Sequence, residues 1–572
     1  MPTAYRCSLA AAALALGACS SGGRSAPAAP PRPTSREAGA RELTADEQVR
    51  QALDRLTFGA RPGDAARVRA MGVDRWIAMQ LDPARIDDGA TDAFVSRYFP
   101  TVTRSPAELV RDDPPPQLLL AAMRRAQRRD PGAGSGAPAL VLSSGDSAAL
   151  RRARIGARMV LTDLQGAAVA RAVMSRRQLQ EVMVNFWENH FNIYALKGPE
   201  RYLLGSFDRD AIRPHALGKF RDLLGAVAHS PAMLFYLDNW ESGAAPAGTR
   251  ASASRGRSPA IGRRGARIPM RGLNENYGRE LLELHTLGVD GGYTQADVIA
   301  AARALTGWSI DRPRLGGGFV FRPRMHDTGA KIFLGHTLPA GRGIADGEEV
   351  LDIVARSPAT AHHIAFELAR RFVSDSPPPA LVDRAAATFL RTGGDIRETL
   401  RTIVTSPEFF SAAAYRAKVK SPFELVVSAL RAVDARPDST PRTAAIIARL
   451  GEPVFGHQAP DGYPETGDAW MNAGAILERI NFGLALGRGV LPGVSLPRFA
   501  RVEGLDTLPP AMRVDGVVRA ILGGEASPDT RRILESGTNP LLGDASPAGA
   551  PRPRTLITAL SLALGAPEFQ RR

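Results

Sequence analysis

Lysine is nearly missing from this chain. Of its 73 basic residues only Lys197, Lys219, Lys331, Lys418 and Lys420 are lysines. Cysteine is scarcer still, with Cys7 and Cys19 alone in 572 residues. Two thiols exclude a disulfide scaffold and a cysteine-built zinc or iron–sulfur centre. Beyond the N-terminal segment there is no run of some twenty apolar residues, which excludes a polytopic membrane protein. Aromatic residues make up 6% of the chain and are lacking from its most basic stretch, residues 250–271, which holds seven arginines and no acid. Without interleaved rings that stretch offers no surface for stacking bases. G-x-S-x-G, Walker, dinucleotide-fingerprint and haem-attachment motifs are all absent, so no reaction class is legible as a short motif.

What is present describes an ordinary globular protein: 44% hydrophobic and 23% charged residues, with a mean hydropathy of −0.14. The length suffices for a large core and for more than one lobe. The net charge of +15 would by itself suggest a polyanionic partner. Because the excess is almost wholly arginine, in a chain also rich in Ala, Gly and Pro, G+C-rich coding is the simpler account. Nucleic acid is not expected as a partner.

Residues 1–19 place Arg6 before an apolar run from Leu9 to Leu16 and end in Leu16-Gly17-Ala18-Cys19. This has the form of a secretory signal peptide. Its end resembles the lipobox of bacterial lipoproteins, in which the cysteine thiol takes a diacylglyceryl group and becomes the first mature residue. Lipid on Cys19 would hold the protein to a membrane with several acyl chains. By the same resemblance, Ser20 after the cysteine favours the outer membrane. Residues 20–41 read as a flexible Ser/Pro/Ala tether, and the folded part as residues 42–572. If that part divides, the expected lobes are 42–335 and 336–572. Excursions are expected at 130–145, 243–271 and 544–554, all rich in Gly, Pro or Ala.

Three- and four-residue apolar spacing predicts helices at 49–56, 179–193, 299–305, 361–372 and 480–486. One hairpin or small sheet is expected from 318–321 pairing with 331–334. Five Ser-Pro or Ala-Pro corners, at residues 230, 357, 406, 421 and 566, each read as the start of a helix. Serine supplies a capping oxygen and proline has no N–H to leave unpaired. The fold class is therefore mainly α, a bundle-like or irregular solenoid-like array of helix pairs.

Chemistry concentrates in two motifs. In "MVNFWENHFNIY" (183–194) His190 continues an apolar ladder while Asn185, Asn189 and Asn192 form a polar stripe. A core histidine bonded to a neighbour, or a ligand, would satisfy this pattern. In "GLNENYGRELLELHTLGVDGGYTQADV" (272–298) Asn274 can cap a helix running to about residue 287. Asn276, Arg279, Glu280 and Glu283 share one face of it, with Arg279 set for ion pairing. Further candidates are His215, His229, Asp238, Asn239, His362 and His363, and above all His326-Asp327 with Lys331, in a loop that would present them to a ligand. Catalytic candidates are therefore His190, Glu280, Glu283, His326 and Asp327. A divalent metal would draw on His190, His215, Glu280 and Glu283.

These motifs, with "ALDRLTFGARPGDAARVRAMGVDRWIAMQL" (52–81), "HALGKFRDLLGAVAHSPAMLFYLDN" (215–239), "DGYPETGDAWMNAGAILERINFGLAL" (461–486) and the closing "GAPEFQRR", resemble the bacterial family of domain of unknown function (DUF) 1800. The likeness runs from about residue 45 onward. Departures are the arginine-rich insertion between Asn239 and Leu273, and Gly278 where alanine is usual. The resemblance implies an exported, largely helical protein whose gene often neighbours that of a sulfatase-like exported family (DUF 1501). It brings no catalytic residue. Two readings follow: a lipid-anchored binding or assembly partner of such a sulfatase-like protein or of surface polysaccharide, or an envelope enzyme with one pocket built from 185–192, 274–285 and 326–327.

Overall fold

The computed structural model describes residues 40–129, 142–244, 272–487, 489, 491–537 and 555–572. The signal segment, Cys19 and nearly all of the tether lie outside these residues. So do most of the expected excursions, although Ser143 already caps helix Ser144–Met174 through a capping box with Asp146.

Helices dominate. The apolar ladders become helices Ala45–Leu56, Gln178–His190, Gln295–Ala304, Pro358–Phe372 and Ala473–Gly487. Their apolar faces meet in one continuous core that includes Leu53, Trp187, Phe220, Leu281, Phe372 and Leu560. Residues Arg41–Arg572 form one compact unit around it. Ser-Pro corners start helices Pro231–Tyr236, Pro358–Phe372 and Pro422–Ala432, each with the serine oxygen accepting a backbone N–H. At Ser406-Pro407 and Ala566-Pro567 the chain only turns. After the first of these, Phe409 and Phe410 are fully buried, and their anchoring overrides the helix-start signal.

The strands pair differently from expectation. Phe319–Phe321 lies antiparallel to Trp308–Ile310, and Lys331–Phe333 turns back on His336–Leu338. The second pairing is local because Leu334 and Gly335 both take positive φ, 47° and 79°. That is the conformation a two-residue hairpin requires. Helix Asn276–Glu283 ends four residues earlier than expected, and Leu281 accepts the Thr286 hydroxyl within the closing turn. A Cβ at Gly278 would sit 2.8 Å from the Val298 carbonyl oxygen. Glycine there lets this helix press closely on Gln295–Ala304.

Candidate functional site

Helix Gln178–His190 separates two environments. One face enters the apolar core through Leu179, Val182, Phe186 and Trp187. The other carries Glu181, Asn185, Glu188 and Asn189, spaced by three and four so that they align. This polar face opens on two adjoining pockets of about 60 and 90 Å³, and Asn185 and Glu188 line both.

In the second pocket Arg213 is the organising cation. Its Nη1 donates to both oxygens of Glu181, at 2.8 and 3.0 Å, and its Nη2 to Asp208 at 3.2 Å. Asp208 stands in the π-helical turn Phe207–Ile212, which extends helix Glu200–Ser206. Such turns recur at functional sites because they re-aim a side chain. Glu188 completes the group. Burial, then the neighbouring Asp208 carboxylate, raise its pKa well above the usual range, and it shares a hydrogen bond with Asp208. Both causes favour the neutral form of this carboxyl, although it lines open pocket space.

In the first pocket a buried charge network forms the floor. Arg371 pairs with Glu424 at 2.9 Å and Glu465 at 3.1 Å, and donates to Asn185 Oδ1 at 3.2 Å. Arg572 holds Glu424 from another side at 2.9 Å. Burial alone would raise the Glu424 pKa, but the Arg572 and Arg371 guanidiniums bring it down to about 2. Glu452 lacks such a partner, and burial pushes it up to about 7, even though one of its oxygens accepts the Phe423 N–H at 2.7 Å. Tyr463 and Trp470, their ring centroids 6.1 Å apart, belong to the same wall.

Asn189 and Asn192 line the first pocket and also hold its neighbouring segment. Asn189 donates to the Tyr463 carbonyl at 2.8 Å and accepts its N–H at 2.7 Å. Asn192 donates to the carbonyls of His457 and Ala459. Both fasten the 457–463 segment against the helix.

The other candidates lie elsewhere. His190 points into the core, its ring 6.3 Å from His285 and 6.2 Å from His363, with Nε2 against the His285 carbonyl at 3.2 Å. Burial lowers the pKa of all three rings, that of His285 to about 3. His215 Nδ1 meets the Ala211 carbonyl at 2.9 Å. Glu280 is half-buried, with its pKa raised by burial and by Glu283. Glu283 accepts the Tyr293 hydroxyl at 3.4 Å. Arg279 reaches Gln295 and Glu275 rather than Glu283.

His326 and Asp327 do not face a ligand from an open loop. His326 is 5% exposed, Lys331 1% and Asp346 0%. Lys331 Nζ bonds Asp346 at 2.7 Å and the carbonyls of Asp327 and Gly329. His326 Nε2 lies 3.3 Å from Asp346, and Arg303 grips Asp327 at 2.8 Å. The loop folds inward because its own lysine needs those oxygens. His190, His215, Glu280 and Glu283 are not gathered, and among the described residues no group of three or more His, Cys, Asp or Glu side chains could hold a metal ion.

Glu181, Glu188, Asp208, Arg213, Arg371, Glu424 and Glu452 were not among the sequence candidates. Their signal is charge at apolar-face positions, as with Glu424 in "SPFELVV" and Arg371 in "FELARRF". No curated protein and no solved structure matches the chain. One family model does, over residues 51–571, and the chain therefore belongs to the family described as protein of unknown function, DUF1800.

Proposed function

We propose that this is an exported, lipid-anchored envelope protein whose Glu188 pocket takes a sugar-like segment of surface polysaccharide and hydrolyses a glycosidic bond in it. The observation that carries this reading is that two carboxyls, Glu188 and Glu452, line one pocket, each with its pKa raised by burial, that of Glu452 to about 7. Acid–base hydrolysis of glycosides uses such a pair. Glu188 gives its proton to the leaving oxygen. Water supplies its oxygen to the anomeric carbon and its proton to Glu452, and exchange with solvent restores both groups. The Asn185 amide offers a donor to hydroxyls, and Trp470 and Tyr463 offer ring faces.

The lipobox at Cys19 supports anchoring, and no described helix is long and apolar enough to cross a membrane. Cys19→Ser should release the protein from membranes; continued membrane association would refute the anchor.

A second reading, binding without turnover, is favoured by Asn189 and Asn192, whose amides are occupied in holding the 457–463 segment. In it the pocket grips polysaccharide, or the protein assembles with a sulfatase-like exported partner. The test incubates the purified chain with envelope polysaccharide and counts new reducing ends, with binding measured in parallel. Turnover lost in Glu188→Gln, with binding kept, supports the enzyme. Binding with no turnover in the wild type overturns it in favour of the second reading.

A further inference from the structure

A cavity of about 270 Å³, sharing no residue with the Glu188 pockets, lies between helices Ala473–Gly487, Pro528–Ser536 and Leu556–Leu564. Ile476, Ile480, Ile533, Leu534 and Leu562 make most of its wall. Three polar side chains interrupt this lining; Thr530 is bonded to Glu568 at 2.9 Å, and the other two are Arg479 and Gln570. Arg479 is 2% exposed and Gln570 6%.

Arg479 Nη1 donates to Gln570 Oε1 at 3.0 Å and Nη2 to the Lys420 carbonyl at 2.8 Å. Both acceptors are neutral. Glu452 and Glu424 act on this guanidinium only from a distance, and burial lowers its pKa; among the described residues no carboxylate forms an ion pair with it. The amide nitrogen of Gln570 is buried with no hydrogen-bond partner. A buried cation is normally paired and a buried donor normally bonded. Here a cation and a donor are left uncompensated, side by side, on the wall of an apolar cavity.

We propose that this cavity binds a free fatty acid. The carboxylate would neutralise Arg479 and accept the spare Gln570 N–H, while the chain lies along the isoleucine and leucine wall. An apolar cavity of about 150 Å³ holds a benzene molecule, so this one has room for an aliphatic chain of roughly ten carbons. A sugar or a peptide would leave its polar groups against this wall unpaired.

The test uses the full-length chain carrying Cys19→Ser, kept free of detergent, titrated calorimetrically with decanoate and with 1-decanol. Decanoate should bind at one site, at least tenfold more tightly than decanol. Ile533→Trp should fill the cavity and abolish both, with little change in unfolding temperature. Arg479→Gln should bring decanoate down to the affinity of decanol. Should that variant fail to fold, Ile533→Trp and the decanoate-to-decanol ratio still decide. Equal affinity for the two probes, no decanoate binding, or decanoate bound unchanged by Ile533→Trp would overturn the proposal.

Discussion

The Glu188 pockets and the His326 cluster are built from similar parts: carboxylates, a basic side chain and polar neighbours taken out of water. In the His326 cluster each charge closes on another. Lys331 Nζ meets Asp346 and two carbonyls, and Arg303 meets Asp327. In the pockets, Arg213 and Arg371 compensate Glu181, Asp208, Glu424 and Glu465, and two carboxyls are left over. Burial raises the pKa of both Glu188 and Glu452 beside open space. Buried charge alone therefore does not mark a site. Incomplete compensation next to a cavity does.

Substitutions can break this comparison. Lys331→Met strands the fully buried Asp346, and chemical denaturation should show a loss of about 3–5 kcal/mol, as for other broken buried pairs. Glu188→Gln replaces the carboxyl by a near-isosteric amide. Stability should hardly move, while polysaccharide turnover falls by roughly 10²–10⁴. Equal loss of stability in the two variants would erase the distinction between a sealed cluster and a site.

Smaller effects sharpen it. The folded pKa of Glu452, about 7, lies above its usual value of 4.5. Its stabilising proton is fully held below pH 4.5 and lost as pH rises through 7. Urea midpoints should fall between pH 5 and 8, and Glu452→Gln should flatten that fall. His285 titrates the other way. Its folded pKa near 3 is below the ordinary 6.5, so its contribution is complete above pH 6.5 and lost as pH drops toward 3. His285→Phe should soften that acid limb. Glu283→Gln, outside both assemblies, should change stability by less than about 0.5 kcal/mol and leave turnover intact.

Much of the fold was legible because local rules and packing agreed. The apolar ladder at 179–193 and the Ser-Pro corners at 230, 357 and 421 name their helices directly. Partnership was not legible. Residues 318–321 and 331–334 read as each other's mates, yet each found a nearer strand once Leu334 and Gly335 made their tight turn. For the candidate site, Asn185, Asn189 and Asn192, read as a polar stripe, all line the first pocket. His190, on its apolar ladder, meets the His285 carbonyl in the core, one of the two readings its position allowed.

By itself the sequence determined the family, the mainly helical class and the arginine-dominated charge of +15. The class and the charge follow from periodicity and composition, and the family from long matching motifs; none of these needs knowledge of distant neighbours. Only the tertiary structure decided what several arginines are for. Arg371, Arg479 and Arg572 are each no more than 5% exposed, and their acceptors come from residues far apart in the chain. Whether a buried charge is compensated depends on distances across the fold, and a one-dimensional pattern does not contain them.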